Sequence, residues 1–298
     1  MYLETNWVFL LFLFLFGLAV GSFLNVVILR YEPSQPFFGW RRWLGRSHCP
    51  SCKTNLAWTN LVPLVSYLLQ KGKCRSCDEP ISIQYPLVEL ATGLLFVFVP
   101  LQLWNMLSAV VFGSHAWIIV LVSVLWIAVF LLFIVVTVID LRYFLIPNSV
   151  NAALAVLGAA WTVAVWSAGI TPAMGGGSFL GHFSGLFPVF GMAWENHLAG
   201  LAIGLIFFLV IVLVSLGKGM GMGDVKLIAA LGLLFGWPDI AAIMALSFII
   251  GGIFAAGYLL VGKKKMSDQL PFGPFIILAA TILFFWGAGL AGAYLGIL

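Results

Sequence analysis

Of the ten acidic residues in this 298-residue chain, two stand where a carboxylate can do chemistry. Asp140 closes a long apolar run in Val-Ile-Asp-Leu-Arg-Tyr-Phe-Leu-Ile-Pro-Asn. Asp224 ends the glycine-rich stretch Gly-Lys-Gly-Met-Gly-Met-Gly-Asp and is followed by Val-Lys. Carboxylates at the boundary of a membrane are costly, which makes them functional candidates by default. Two that face one another cannot both ionise readily, so such a pair holds a single proton near neutrality. The ionised member can take a proton from water while the protonated member polarises a peptide carbonyl, which is aspartic protease chemistry. Glycines ahead of Asp224 remove side chains and let a substrate backbone come close. The plainer alternative is that each Asp caps a helix or pairs with Arg142 or Lys226. A nucleotide-binding loop is excluded, because the Gly-x-Gly-x-Gly run has no strand-turn-helix unit around it. His115, His182 and His197 are scattered and support no histidine-based site, and Asp239 reads as a cap on the span that follows it.

The other chemistry-bearing set is four cysteines. Cys49 and Cys52 form one C-x-x-C, Cys74 and Cys77 a second, with 21 residues between the pairs. Two such knuckles supply four thiolates, enough to close a tetrahedral structural zinc site. A closed site leaves no open position for catalysis, so the metal would hold together an insert too small to bury much core. Neither pair precedes a His, which excludes haem attachment; His48, just before Cys49, reads as a solvated loop histidine, with a substitute ligand as the alternative. The remaining alternatives are disulfides or fortuitous thiols.

The elements that position these groups follow from composition. The chain is 63% apolar and 8% charged, against about a quarter charged in an ordinary soluble domain. This is a membrane protein, and disordered, collagenous and disulfide-stapled classes are excluded. A span needs about 20 apolar residues, and eight candidates emerge: Trp7 to Leu29, Pro86 to Trp104, Trp117 to Ile139, Ser149 to Ser167, Leu198 to Leu216, a short Val225 to Gly236, Ile240 to Val261, and Phe275 to the C-terminus. Basic residues are retained on the cytoplasmic side. With both termini outside and eight crossings, all fourteen Lys and Arg fall on one face: eight from Arg30 to Arg75, then Arg142, Lys218, Lys226 and Lys263 to Lys265. The same topology brings Asp140 and Asp224 to that face, and places the cysteines in a reducing compartment that disfavours disulfides.

The first span reads as uncleaved, since Met1 to Asn6 carries Glu4 and no base. Gly17 with Gly21, and Gly200 with Gly204, are small-xxx-small pairs suited to close helix packing. The stretch Gly169 to Asn196, with Gly175 to Gly177, reads as an irregular surface loop. The expected fold is an all-α polytopic membrane protein of about eight transmembrane helices, with a small cytoplasmic zinc-binding insert between helices 1 and 2. The divisions are 1–29 (first helix), 30–85 (four-cysteine insert) and 86–298 (helices 2 to 8, the protease core).

Several separate motifs resemble the type IV prepilin peptidase (prepilin leader peptidase/N-methyltransferase) family. They are Gly21-Ser-Phe-Leu-Asn-Val-Val-Ile-Leu-Arg30, Arg46-Ser-His-Cys-Pro-Ser-Cys52, Gly72-Lys-Cys-Arg-Ser-Cys77, Tyr85-Pro-Leu-Val-Glu-Leu90, Asp140 with Ile146-Pro147, Gly221-Met-Gly-Asp224-Val-Lys226, and Pro271-Phe-Gly-Pro274. Asn148, Lys218 and Met222 depart from the residues common in that family. The resemblance implies a bifunctional bacterial inner-membrane enzyme with Asp140 and Asp224 as catalytic residues. It would cleave the basic leader of a prepilin or pseudopilin after Gly at the cytoplasmic face, in a type IV pilus or type II secretion system. It would then methylate the new N-terminus with S-adenosylmethionine. No donor-binding residue can be read from the chain, and no nucleic-acid partner is expected. Competing readings are a G-x-G-D intramembrane protease of broader specificity, an ion-coupled transporter using the boundary carboxylates, and a non-enzymatic scaffold docking a partner through the insert.

Overall fold

The computed structural model describes residues 6–33, 35, 37–39, 43, 45–107, 116–168, 178–187, 190–217, 219–260 and 270–295. His115, Gly175 to Gly177, Lys218, Lys263 to Lys265, Arg41 and Arg42, all used above, lie outside the described residues. Those described form nine α-helices and two 3₁₀ turns: α1 (Trp7–Leu29), α2 (Val65–Leu69), α3 (Gln84–Leu107), α4 (Ala116–Tyr143), α5 (Asn148–Ser167), α6 (Ala193–Val214), α7 (Met222–Phe235), α8 (Asp239–Leu260) and α9 (Gly273–Leu295), with turns at Trp58–Asn60 and Gly181–Leu186. Seven of the helices are long and apolar enough to cross a membrane. The chain is thus an all-α multi-pass membrane protein. It divides into two compact units, Met1–Val135 and Val136–Leu298.

In the first unit α1 lies against α3 at glycine seams. A Cβ on Gly17 would stand 2.9 Å from Gly93 Cα, and one on Gly21 would stand 2.8 Å from Glu89 Cα. Without hydrophobic driving force between helices in lipid, such close approach is what makes a helix pair hold. Near the ends of the two helices, Asn25 Nδ2 donates to Tyr85 O at 3.1 Å. Between α1 and α3 the chain forms two matched loops around the cysteines. In each, the first Cys N–H bonds the carbonyl five residues on (Thr54, Glu79). The Cys carbonyl in turn accepts from the residue four on, Lys53 or Asp78. Both of those residues take a left-handed φ, 58° and 55°.

In the second unit the short α7 is central, with Leu227, Ile228, Leu231 and Leu234 fully buried. It has 14 residues, about 21 Å, and so falls short of the length that marks the other seven. Its neighbours show its direction. Gly200 of α6 packs on Gly232 and Gly236, and Gly204 on Ile228, so α7 runs antiparallel to α6. Gly204 also meets Ile240, and Phe208 meets Phe248, so α8 runs parallel to α6. The chain therefore reverses twice here, and α7 is a return stroke that ends beside the first turn of α6, where Trp237 N donates to Asn196 O at 3.3 Å.

The stretch after residue 177 packs against the end of α7. Read from sequence as an irregular surface loop, it instead carries buried Ser178, Phe179, Leu180 and Phe183. Phe179 packs on Phe235 of α7 and Phe284 of α9. Asp239, fully buried at the start of α8, accepts from Ser178 Oγ at 2.7 Å and Phe179 N at 2.8 Å. It therefore ties this segment down rather than capping its own helix. Irregular backbone is tolerated at membrane depth only when its polar groups are satisfied inside protein, and Asp239 does that. Boundaries shift as well: α4 continues three residues past Asp140, α6 begins five residues before Leu198, and α7 begins early enough to include Asp224 in its first turn.

Candidate active site

Asp140 and Asp224 come from α4 and α7 and lie within the second unit. Asp140 is 4% exposed and Asp224 9%. Asp224 lies within electrostatic range of the Asp140 carboxylate. Each carboxylate spends one oxygen on a backbone donor. Asp224 Oδ2 accepts from Gly221 N at 3.3 Å, closing the first turn of α7, where a negative charge also suits the helix dipole. Asp140 Oδ2 accepts from Gly273 N at 3.1 Å, a bond that spans 133 residues of sequence.

The surroundings explain the small residues. A Cβ on Gly273 would stand 2.6 Å from Asp140 Oδ2 and 3.2 Å from Ile146 Cδ1. One on Gly223, next to Asp224, would stand 3.3 Å from Ile146 Cβ. Buried Ile146 thus sits against both glycines, Gly223 beside Asp224 on α7 and Gly273 at the start of α9, whose N–H holds Asp140. Asn151 Nδ2 supports the same turn by donating to Gly223 O at 3.3 Å. Lys226 Nζ donates to Asn148 Oδ1 at 2.8 Å, so these two positions form a polar pair at the rim. A cavity of about 540 Å³ is lined by Thr137 and Leu141 of α4 with Phe254, Pro271, Pro274 and Phe275 among others, and neither carboxylate is among the residues that line it. Its apolar walls suit a hydrophobic chain better than a polar solute.

The sequence reading named both carboxylates. It missed Gly273 and Ile146 as their neighbours, although both fall in quoted motifs. His197, read only as one of three scattered histidines, is 2% exposed within α6.

The four cysteine sulfurs of the first unit lie within 4.8 Å of one another, and Cys49 Sγ and Cys77 Sγ are 3.9 Å apart. Tetrahedral zinc with bonds of about 2.3 Å requires sulfurs roughly 3.8 Å apart, so the donor set fits such an ion. The Thr54 hydroxyl and backbone beside Cys52 hold its thiol down at about 6, while burial and the neighbouring sulfurs push Cys77 up.

Residues 15–103 match the bacterial peptidase A24 N-terminal domain, and residues 126–256 match the type IV leader peptidase family. A prepilin leader peptidase/N-methyltransferase of Aeromonas salmonicida is 31% identical over 97% of this chain and 94% of its own length. Those of Legionella pneumophila (97% and 96%) and Bacillus subtilis (95% and 96%) are each 30% identical. The chain belongs to the type IV leader peptidase family. No solved structure matches it. Among leader peptidases of this family, then, the chain carries both the N-terminal cysteine-bearing part and the two-aspartate part in one polypeptide.

Proposed function

We propose that this enzyme cleaves the leader of type IV prepilins or pseudopilins with Asp140 and Asp224 as its catalytic pair. The single observation that carries the reading is two buried carboxylates brought into electrostatic range, each anchored through one oxygen to a backbone N–H. Like charges that share one site carry a single proton between them. The ionised carboxylate takes a proton from the attacking water, the protonated one donates to the scissile carbonyl, and the amide nitrogen leaves protonated. Anchoring one oxygen of each group fixes the direction in which the other faces, which is the positioning part of catalysis.

The substrate would be an apolar helix with a basic leader. The bond after the leader's Gly would lie at the cytoplasmic face of the bacterial inner membrane, with both termini of the enzyme outside. The gathering of basic residues on one face supports that orientation. The freed amine would be methylated from S-adenosylmethionine, which supplies the methyl group. The family relationship alone supports that step. The four cysteines would hold one structural zinc ion per chain, and the donor geometry supports it.

The test is incubation of the purified enzyme with a prepilin, with and without S-adenosylmethionine, read by mass spectrometry of the product's N-terminus. Cleavage after Gly and a methyl mass increment only with donor are expected. Asp140→Asn and Asp224→Asn should each abolish cleavage while leaving the protein in the membrane; full activity in either would sink the assignment.

A further inference from the structure

The segment between the two cysteine knuckles carries apolar side chains that the first unit does not use. Trp58 is 79% exposed, Leu68 72% and Leu69 71%, and Leu61 and Val65 are exposed beside them. Within the same short stretch Ser66 is buried. The stretch thus presents most of its apolar side chains outward.

Its depth is set by one hydrogen bond. Leu64 N donates to Glu89 Oε2 at 2.8 Å. Glu89 is buried, in the second turn of α3, against Gly21 of α1. Helical side chains lean toward the N-terminus, so the Glu89 carboxylate reaches back over the first turn of α3. Leu64 consequently lies alongside the beginning of a membrane span, not beyond its end. With 24 residues, α3 is about 36 Å long, which exceeds a hydrocarbon core of about 30 Å and leaves its first turn in the headgroup layer.

Charge agrees with that placement. Exposed Lys53, Lys71, Lys73 and Arg75 flank the apolar stretch, with Asp78 and Glu79 behind the second knuckle. An apolar strip carrying a Trp and edged by bases is the composition of a segment lying in a bilayer interface. We propose that residues 58–69 form a wedge in the membrane interface, with Trp58, Leu61, Val65, Leu68 and Leu69 in the acyl boundary and the flanking bases on anionic headgroups. The occupant of this surface is lipid. The knuckles on either side fix the wedge, and Glu89 anchors it to α3.

The experiment places a photoreactive benzoylphenylalanine at Trp58 or Leu68, and as control at exposed Glu79, in the full chain. The protein is reconstituted in phosphatidylcholine vesicles containing phosphatidylglycerol. Lipid adducts at positions 58 and 68, several-fold above those at 79, are expected. Adducts at 58 and 68 to another part of this chain, to a second copy or to another protein would overturn the proposal, as would equal lipid labelling at all three positions or none at any. The readout does not depend on peptidase activity, so Asp140→Asn in the same background should leave the adducts unchanged.

Discussion

Asp140 and Asp224 are each gripped by one backbone N–H, but their holders differ in kind. Gly221 is three residues from Asp224 and comes with the helix turn, whereas Gly273 reaches Asp140 from a distant helix start. A methyl group at position 273 would have to displace Asp140 Oδ2 from 2.6 Å, and misplacing a reacting group by an ångström costs about a hundredfold in rate. Gly273→Ala is therefore expected to lower the prepilin cleavage rate by about two orders of magnitude, with the protein still in the membrane. A turnover assay at saturating substrate beside a membrane-fraction blot checks it. The two carboxylates were legible in the sequence because acids are rare in so apolar a chain. Gly273 was not, since a main-chain donor has no residue-type signature and Pro271-Phe-Gly-Pro274 names no partner.

At the level of elements, spans reveal themselves by length, and their ends do not. The first turn of α6, Ala-Trp-Glu-Asn-His, is too polar to join an apolar run, yet it is helical and begins with a Glu195 side chain accepting from Met192 N. The loop segment around Phe179 had no periodicity to read, because a single acid on α8 holds it rather than a repeating face. Asp239→Ala would leave the Ser178 hydroxyl and the Phe179 N–H without that acceptor, at about 1–3 kcal/mol for each orphaned group. A lowered midpoint in a detergent thermal melt is the expected outcome, with Asp239→Asn milder because its carbonyl still accepts. In the first unit the matched cysteine loops make a separate prediction. If the cluster holds zinc as proposed, Cys49→Ser or Cys74→Ser should abolish zinc binding, measured by elemental analysis, and open the 46–80 stretch to limited proteolysis. The same purified wild-type protein should return one zinc per chain.

For the whole molecule the strongest expectation concerns sidedness. Eight crossings with α7 as one of them place every Lys and Arg on one face; seven would send Lys263 to Lys265 to the other. The antiparallel run of α7 along α6 and the parallel run of α8 favour the full count, despite the 14-residue length. A reporter fused after Leu298 should accordingly behave as external, and one inserted at Asp78 as cytoplasmic, in a paired phosphatase and fluorescence assay. The charge distribution carries this expectation in the sequence, whereas the place where α7 ends is set by its packing against Gly200, which no residue pattern announces.

The long reach of Gly273 also orders events in time. A ribosome delivers Asp140 and Asp224 well before α9, and the turn at Asp224 can close as soon as α7 forms. Asp140 gains its anchoring donor only when the last helix has entered the membrane and docked, since contacts of large sequence separation form late. A half-made chain therefore holds both acids before the donor that anchors Asp140 is in place.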